Sequence, residues 1–294
     1  MSTILLGFAD GLAAARRLGV LLKVPVHEVE THRFPDKECL IRVPASARTV
    51  ILYRSLDDPD RKIIELLLAA SAARDQGAER VILVAPYLAY MRQDKAFHAG
   101  EAVSQKVIGG LISGHFDGLV TVDPHLHRIA TLSEVIPGIP AISLSATPVL
   151  ATLIDPHGDP VIVGPDSESR QWTAAIAAPL ELETLTASKQ RLGDRNVSLA
   201  LAGLERVRGR RTILVDDMIS SGRTLVEAAK LLHSAGATSV EAVVTHCLAN
   251  ADDLALMEQN GIAPIASSDS VDGPTSKAQL APLICRALHG HGLT

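Results

Sequence analysis

The chain has 294 residues, of which 47% are hydrophobic and 21% charged, and this balance excludes a disordered or fibrous protein. The formal net charge of -5 argues against a nucleic-acid-binding function, because no broad positive surface is available. Any anionic ligand must therefore meet local cations and backbone amides.

The cysteines and apolar segments predict a cytoplasmic protein. Cys39, Cys247 and Cys285 are widely spaced and match no metal-ligand pattern, so we expect free thiols in a reducing compartment. The stretch "MSTILLGFADGLAAARR" has no basic leader before its apolar run, which predicts a chain that is not exported. No apolar run approaches the roughly 18 residues that suggest a membrane span.

Short β-branched segments alternate with Ala- and Leu-rich helical segments, a pattern that predicts an α/β protein with parallel sheets. Residues 49–54 predict a buried strand, and the next helix is predicted to begin at Pro59 behind an Asp58 N-cap and to stop at Gly77. A change from one αβ set to another predicts two domains, 1–145 and 146–294. Further strands are predicted at 80–87, 118–123, 160–166, 211–217 and 239–246.

The segment "TILVDDMISSGRTL" (212–225) carries the most specific chemical signal. Asp216 and Asp217 are predicted to end a strand, and Ser220 to Thr224 are predicted to precede a helix. A loop of small hydroxyl residues before a helix offers converging N–H groups and a positive dipole end, which together bind a phosphate monoester. Two carboxylates beside it suit a diol or Mg²⁺, so a ribose phosphate fits. The alternative is an acidic strand end that caps an ordinary helix.

Three N-terminal segments carry weaker signals. Phe34 supplies a ring for base stacking, and period-two spacing predicts that Asp36 and Glu38 share its face and accept hydrogen bonds from an amine; a core phenylalanine with solvated acids is the alternative. Arg92 offers a planar fork for phosphate oxygens or is a surface charge. His125, which alternates with His127 after a predicted strand, is either a metal ligand or structural.

The acids, the small loop and the helix together resemble the phosphoribosyl diphosphate binding motif of type I phosphoribosyltransferases and ribose-phosphate diphosphokinases. "HRFPDKECLIRV", "APYLAYMRQDKAFHAGEAVS" and "TVDPHLHRI" are similar to segments of the diphosphokinases alone. Lys37 stands where that family has glycine, and Met91 stands where it has alanine. The resemblance covers almost the whole chain and is nearest to the shorter archaeal type.

The resemblance implies two tandem type I phosphoribosyltransferase-like domains and a Mg²⁺-dependent transfer of diphosphate from ATP to ribose 5-phosphate. It implies a homodimer or larger homo-oligomer, because in the family the segment at Phe34 to Glu38 completes a neighbouring subunit's ATP site. It places ATP contacts at Phe34, Asp36, Glu38, Arg92, Gln93 and Asp94, ribose 5-phosphate contacts at Asp216, Asp217, Ser220, Ser221, Gly222, Arg223 and Thr224, catalytic groups at Lys189, Arg191 and His125, and metal ligands at His125 and Asp166.

Two departures and two alternatives remain at this stage. Glu168 and Ser169 follow Asp166 where the family has glycines, and Arg223 replaces a small residue in the phosphate loop. The alternatives are a non-catalytic relative that binds nucleotides and regulates a partner, and a phosphoribosyltransferase acting on a nucleobase. Retention of Lys189, Arg191 and His125 argues against the first, and the second would need a base-specific hood that the sequence does not reveal. Neither a zinc helix motif nor a P-loop is present.

Overall fold

The structure is a computed structural model that describes residues 2–126, 129–191 and 197–294. The side chains of 188–191 and 197–200 lie outside this description.

The chain divides into two compact units. The first contains residues 1–145, 270–272 and 279–294, and the second contains residues 146–269 and 273–278. The C-terminal helix thus belongs to the first unit, and the division into domains 1–145 and 146–294 stays a prediction.

The first unit is built on a parallel sheet of six strands in the order β2-β1-β5-β6-β7-β8. Its central strands are buried along their whole length, because helices cover both faces of a parallel sheet. The elements are β1 (Thr3–Gly7), α1 (Leu12–Leu22), β2 (Val26–Glu28), β3 (Glu30–Arg33), β4 (Cys39–Arg42), β5 (Thr49–Tyr53), α2 (Pro59–Asp75), β6 (Arg80–Ala85), α3 (Ser104–His115), β7 (Gly118–Val122) and β8 (Ala141–Leu144), with α8 (Ala281–Gly290) added from the end of the chain.

Helix α2 begins at Pro59, as predicted, and ends two residues before Gly77, which has a left-handed φ of 95°. Asp58 occupies the predicted N-cap position, but its side chain does not cap the helix. The Asp58 side chain accepts a hydrogen bond from Arg61 Nε at 2.7 Å instead of one from a helix N–H group. Proline's fixed φ and its missing N–H group are therefore the features that mark this start.

Strands β3 and β4 form a separate antiparallel hairpin. Phe34 N–H donates to the Glu38 carbonyl oxygen at 2.9 Å, and Lys37 N–H donates to the Phe34 carbonyl oxygen at 2.9 Å. The chain therefore reverses direction between these residues. The predicted extended segment with one common face for Phe34, Asp36 and Glu38 is wrong, because a turn breaks the alternation of side chains.

The second unit has a seven-stranded sheet in the order β11-β10-β9-β12-β13-β14-β15, parallel except for the β10–β11 pair. Its helices pack on a core that includes Val163, Leu214, Leu232 and Val244. The elements are α4 (Thr147–Leu150), β9 (Val161–Gly164), α5 (Arg170–Ala177), β10 (Thr184–Arg191), β11 (Val197–Leu201), β12 (Arg211–Ile219), α6 (Arg223–Ser234), β13 (Ser239–Cys247), α7 (Ala251–Gln259), β14 (Ile262–Ser268) and β15 (Ser276–Ala278).

The two parallel sheets with flanking helices confirm the predicted α/β class. In the described part of the chain, no helix combines the length and apolar character needed to cross a membrane.

Lys37 occupies a left-handed backbone conformation, with φ of 76°, in the hairpin turn. A side chain in this conformation destabilises the fold by roughly 1–2 kcal/mol. Glycine avoids this penalty, but part of the gain is lost because the unfolded chain is more flexible at a glycine. We expect Lys37→Gly to raise the free energy of unfolding by about 0.5–1 kcal/mol, measured by urea titration. Lys37→Ala is the matched control, because alanine keeps the Cβ atom; an equal gain in both variants would contradict the backbone explanation.

Candidate functional site

Strand β12 lies between β9 and β13 and carries the two adjacent carboxylates. The strand continues to Ile219, so the prediction that Asp216 and Asp217 end it was wrong by two residues. Asp216 pairs in register with Val244 of β13 and is partly exposed, whereas Asp217 is buried. Asp217 N–H donates to Asp216 Oδ1 at 3.0 Å. Both acids thus lie near the carboxyl end of a central strand, where ligands of open α/β sheets bind.

Burial and neighbouring negative charge raise the pKa of Asp216 well above its ordinary value. The charge comes from Asp217 and from Asp166, which follows the adjacent strand β9. The structure therefore brings three predicted site residues together in one acidic cluster. Ionising all three without a cation or hydrogen-bond donors opposite them is unfavourable, so the cluster is suited to a ligand that supplies such groups.

The loop after β9 accommodates Ser169 in place of the family's glycine by means of hydrogen bonds. Ser169 Oγ donates to the Asp166 carbonyl oxygen at 2.7 Å, and Asp166 Oδ1 accepts from the N–H groups of Glu168 at 3.0 Å and Ser169 at 3.2 Å. Ser169 has a right-handed helical backbone, so glycine's conformational freedom is not required there. Glu168 is exposed. The departure thus fixes Asp166 instead of disturbing it.

The phosphate loop is shorter than predicted, because α6 begins at Arg223. Arg223 and Thr224 therefore form the first helical turn, and Ser220 and Ser221 are exposed before it. Gly222 occupies the N-cap position with φ of 68°, and the structure shows no side-chain cap at this helix start. The first N–H groups of α6 are thereby left for a ligand, as an anion-binding helix start requires.

Gly222 lies directly against α7. A Cβ atom at this position would lie 2.4 Å from Met257 Sδ, and Met257 is fully buried. Ile219 and Leu225 on either side of the loop are buried in the same core. The loop is thus held at both ends by apolar packing, while its hydroxyl groups face outward.

Phe34, Asp36 and Glu38 lie at the tip of the hairpin. The Phe34 ring is 40% exposed and meets His32 edge-on at a centroid distance of 4.8 Å. Asp36 Oδ1 accepts the Glu38 N–H group at 3.1 Å, so this carboxylate also stabilises the turn. An exposed aromatic ring beside two carboxylates leaves the base-stacking prediction open, and the buried-core alternative for Phe34 is excluded.

Arg92, Gln93 and Asp94 lie in the loop between β6 and α3. Ser104 Oγ donates to Gln93 Oε1, and the Gln105 N–H group donates to the Gln93 carbonyl oxygen at 3.3 Å, so the start of α3 holds this loop. Arg92 is exposed, and Gln93 and Asp94 are partly exposed.

Glu101 stabilises the remainder of the same loop. Its carboxylate accepts hydrogen bonds from His98 and from the Phe97 N–H group, which lower the pKa of Glu101.

His125 follows β7 and is partly buried. The preceding Asp123 has φ of 36°, and its N–H group donates to the Leu144 carbonyl oxygen at 2.8 Å. His127 lies outside the described residues.

The predicted catalytic loop is a strand up to Arg191. The backbones of Lys189 and Arg191 lie in β10 and pair with Leu199 and Val197 of β11. Their side chains, and all of residues 192–196, lie outside the described part of the chain. The catalytic roles of Lys189 and Arg191 therefore stay predictions.

A divalent cation fits the donor set of the second unit. Within the described residues, no group of three or more His, Cys, Asp or Glu side chains is arranged to hold a metal ion. Mg²⁺, however, is commonly held by one or two carboxylates, with substrate oxygens and waters as its remaining ligands. Asp166 and Asp216 offer such oxygens in a cluster where neighbouring carboxylates raise the pKa of Asp216 in addition to its burial. His125 belongs to the first unit, and its pairing with Asp166 stays a prediction.

Sequence reasoning missed the residues that support the site. Met257 gave no signal, because its contact with Gly222 joins elements far apart in sequence. Ser169 was noted only as a departure from the family, and its hydrogen bond to the nearby Asp166 was not foreseen. Arg54 and Glu65 were also missed, although the charge of Arg54 directly after the apolar strand β5 was a usable signal.

Comparison with known proteins agrees with this geometry. Residues 8–114 match the N-terminal domain of ribose phosphate pyrophosphokinase, and residues 146–258 match the phosphoribosyl transferase domain. A ribose-phosphate pyrophosphokinase of Methanopyrus kandleri is 35% identical over 97% of this chain and 98% of its own. That of Methanothermobacter thermautotrophicus is 32% identical over 93% of this chain and 97% of its own.

A solved structure of phosphoribosylpyrophosphate synthetase from Mycobacterium smegmatis has the same fold, with a TM-score of 0.85, 23% identity and 99% coverage of both chains. Fold and matches together define an α/β protein of the phosphoribosyltransferase type, which confirms the predicted fold class. The chain belongs to the ribose-phosphate pyrophosphokinase family, as its motifs predicted.

Gly222→Ala tests the packing of the phosphate loop. We expect a loss of about 1–2 kcal/mol from the left-handed backbone alone, and a further loss from the Met257 contact. Urea unfolding gives the total, and amide exchange of 219–224 reports the loop. Gly110→Ala in α3 is the control, because its Cβ atom would meet no heavy atom within 4 Å; there we expect a gain of about 0.5–1 kcal/mol. No loss of stability in Gly222→Ala, or an equal change in both variants, would refute the contact.

Asp216→Asn tests the acidic cluster. Because the folded-state pKa of Asp216 is raised, its ionisation destabilises the fold. This penalty is absent below the ordinary aspartate pKa of about 4, grows as pH rises toward the folded-state pKa, and is complete above it. We therefore expect the variant to be more stable than wild type at pH 7, with the difference shrinking toward pH 4. Urea unfolding across this range checks it; a less stable variant at pH 7 would contradict the assigned repulsion.

Proposed function

We propose that the chain transfers diphosphate from ATP to the 1-hydroxyl of ribose 5-phosphate, giving 5-phosphoribosyl 1-diphosphate and AMP. In this reaction the 1-hydroxyl oxygen forms a bond to the β-phosphorus, the bond between that phosphorus and the oxygen of AMP breaks, and the hydroxyl proton leaves. The observation that carries the proposal is the uncapped start of α6 directly behind the carboxylates of β12.

Ribose 5-phosphate is assigned to the second unit. Its phosphate would accept hydrogen bonds from the first N–H groups of α6 and from the exposed hydroxyls of Ser220, Ser221 and Thr224. Arg223 in the first turn adds a cation. Asp216 and Asp217 would accept hydrogen bonds from the ribose hydroxyls, which supply donors to carboxylates that otherwise repel one another.

Mg²⁺ would be held by Asp166 and Asp216, with His125 as a further proposed ligand, and would neutralise phosphate charge. Because burial and the neighbouring carboxylates raise the pKa of Asp216, a cation at this place would lower the cost of ionising it. The three backbone and hydroxyl hydrogen bonds around Asp166 would keep its carboxylate oriented before any ligand arrives.

ATP is assigned to the predicted residues of the first unit. Phe34 would stack on the base, and Glu38 would accept from its exocyclic amine, because the ring is exposed at a hydrogen-bonded turn. Asp36 already accepts a backbone N–H group, so its proposed contact would use its other oxygen. Arg92, Gln93 and Asp94 would bind the phosphates and ribose.

Phosphoryl transfer depends mainly on positioning and charge neutralisation. Lys189, Arg191 and His125 would meet the charge that develops on the transferred group. We also propose a cytoplasmic homodimer or larger homo-oligomer, in which a neighbouring subunit's hairpin completes each ATP site. The exposed ring at the hairpin tip supports the shared ATP site. The three free cysteines support the cytoplasmic location.

The proposal is tested by product analysis. With Mg²⁺, ATP and ribose 5-phosphate, the purified protein is expected to form AMP and 5-phosphoribosyl 1-diphosphate in equal amounts, separated by ion-exchange chromatography. Omitting ribose 5-phosphate is expected to stop AMP formation. ADP as the product, or AMP formed at the same rate without the sugar phosphate, would overturn the proposed reaction.

A pair of variants locates the activity. Asp217→Asn is expected to lower kcat/KM by on the order of a hundredfold, since the negative charge is lost and an NH₂ donor replaces one of the two acceptor oxygens. Asp252→Asn changes an exposed aspartate in the first turn of α7 and is expected to leave the rate within about a factor of two. If the wild-type protein is stable and folded but shows no turnover, the result would instead support the regulatory relative, which binds the same ligands without reaction.

A further inference from the structure

The first unit contains a buried ionic cluster around Glu65 of α2. The Glu65 side chain has no solvent exposure, and that of Arg54, directly after β5, is 3% exposed. Arg54 NH1 lies 2.5 Å from Glu65 Oε2, and its guanidinium stacks over the Phe8 ring at 3.9 Å. Arg54 NH2 also pairs with Asp10 at 3.1 Å. Charges so deeply buried are costly unless they are paired, so these groups constrain one another's positions.

Arg33 reaches this cluster from the hairpin. Its guanidinium binds Glu65 Oε1, and it is the residue directly before Phe34. Among the residues that the structure describes, this ion pair is the sole polar side-chain link between 30–42 and the rest of the first unit. The other polar side-chain contacts of the hairpin are internal: Arg42 binds Glu30, and Asp36 binds the Glu38 N–H group.

The hairpin needs such a link, because little else orients it. All four residues of β3 are exposed, and β4 alternates between partly buried and exposed residues as it packs against α2. A two-stranded hairpin alone is marginally stable in water. Its tip, which carries Phe34, is thus directed by β4 on one side and by the Arg33–Glu65 pair on the other.

We propose that Glu65, acting through Arg33, is a positioning residue for the ATP-binding hairpin, with Arg54 holding Glu65 in place. This inference rests on the proposed function, since it assigns ATP to the hairpin tip. Neither Glu65 nor Arg33 touches the nucleotide in this scheme. Their effect is to keep the base-stacking ring in one orientation, so that the cost of ordering the tip is met on folding and not on binding.

Arg33→Gln is the informative variant. Glu65 keeps its pairs with Arg54 and with Arg61, whose NH1 lies 3.6 Å from Oε1, so no buried charge is left alone. We expect the KM for ATP to rise about tenfold, with kcat within about twofold and the KM for ribose 5-phosphate unchanged. Amide exchange at 34–38 is expected to accelerate, and Arg33→Lys is expected to recover part of the ATP affinity.

Arg42→Gln is the matched control, because it removes an arginine ion pair from the same hairpin that does not reach the body of the unit. It is expected to resemble wild type in every readout. Unchanged KM for ATP and unchanged exchange in Arg33→Gln would overturn the proposal, as would equal effects in both variants. If wild type forms no AMP, the proposed function fails, and the exchange comparison still decides whether Arg33 orders the tip.

Discussion

The proximity of three carboxylates, those of Asp166, Asp216 and Asp217, is the constraint on which the site of the second unit depends. Folding holds these carboxylates together at the carboxyl ends of two adjacent strands, and the raised pKa of Asp216 reports the cost. Hydrogen bonds around Asp166 and apolar packing under Gly222 keep the cluster and the start of α6 fixed. A ligand that brings hydroxyl donors and a cation would lower the cost of ionising these carboxylates.

In the first unit, the charged groups at the end of strand β5 are arranged differently from those at the end of β12. Strands β5 and β12 each lie between two parallel neighbours and lead into a helix, yet the end of β5 carries Arg54 with carboxylates around it. There the charges balance within the protein, and the cluster extends to the hairpin through Arg33. The charged groups near the carboxyl end of β12 are therefore suited to a ligand, whereas those at the carboxyl end of β5 hold a binding element in place.

The fold class was predictable because buried β-branched runs and Pro59 act locally, through periodicity and a fixed φ. The acids and the small loop were predictable for the same reason, since one strand, one loop and one helix contain them all. Prediction failed where hydrogen bonds across a turn decide the structure: Phe34 to Glu38 form a hairpin tip, and α6 begins at Arg223. It also failed for Met257 and Glu65, whose partners Gly222 and Arg33 lie in other elements and leave no periodic trace.

The discontinuity of the first unit affects how the chain matures on the ribosome. Helix α8 packs against α1, and Leu293 lies against Gly118 of β7, so a segment synthesised after the second unit closes the unit that was started first. Residues 146–278 leave the ribosome before that closing segment and supply every element of the second sheet. The second unit can therefore complete its core first, while the apolar face of α1 stays uncovered until α8 has been synthesised.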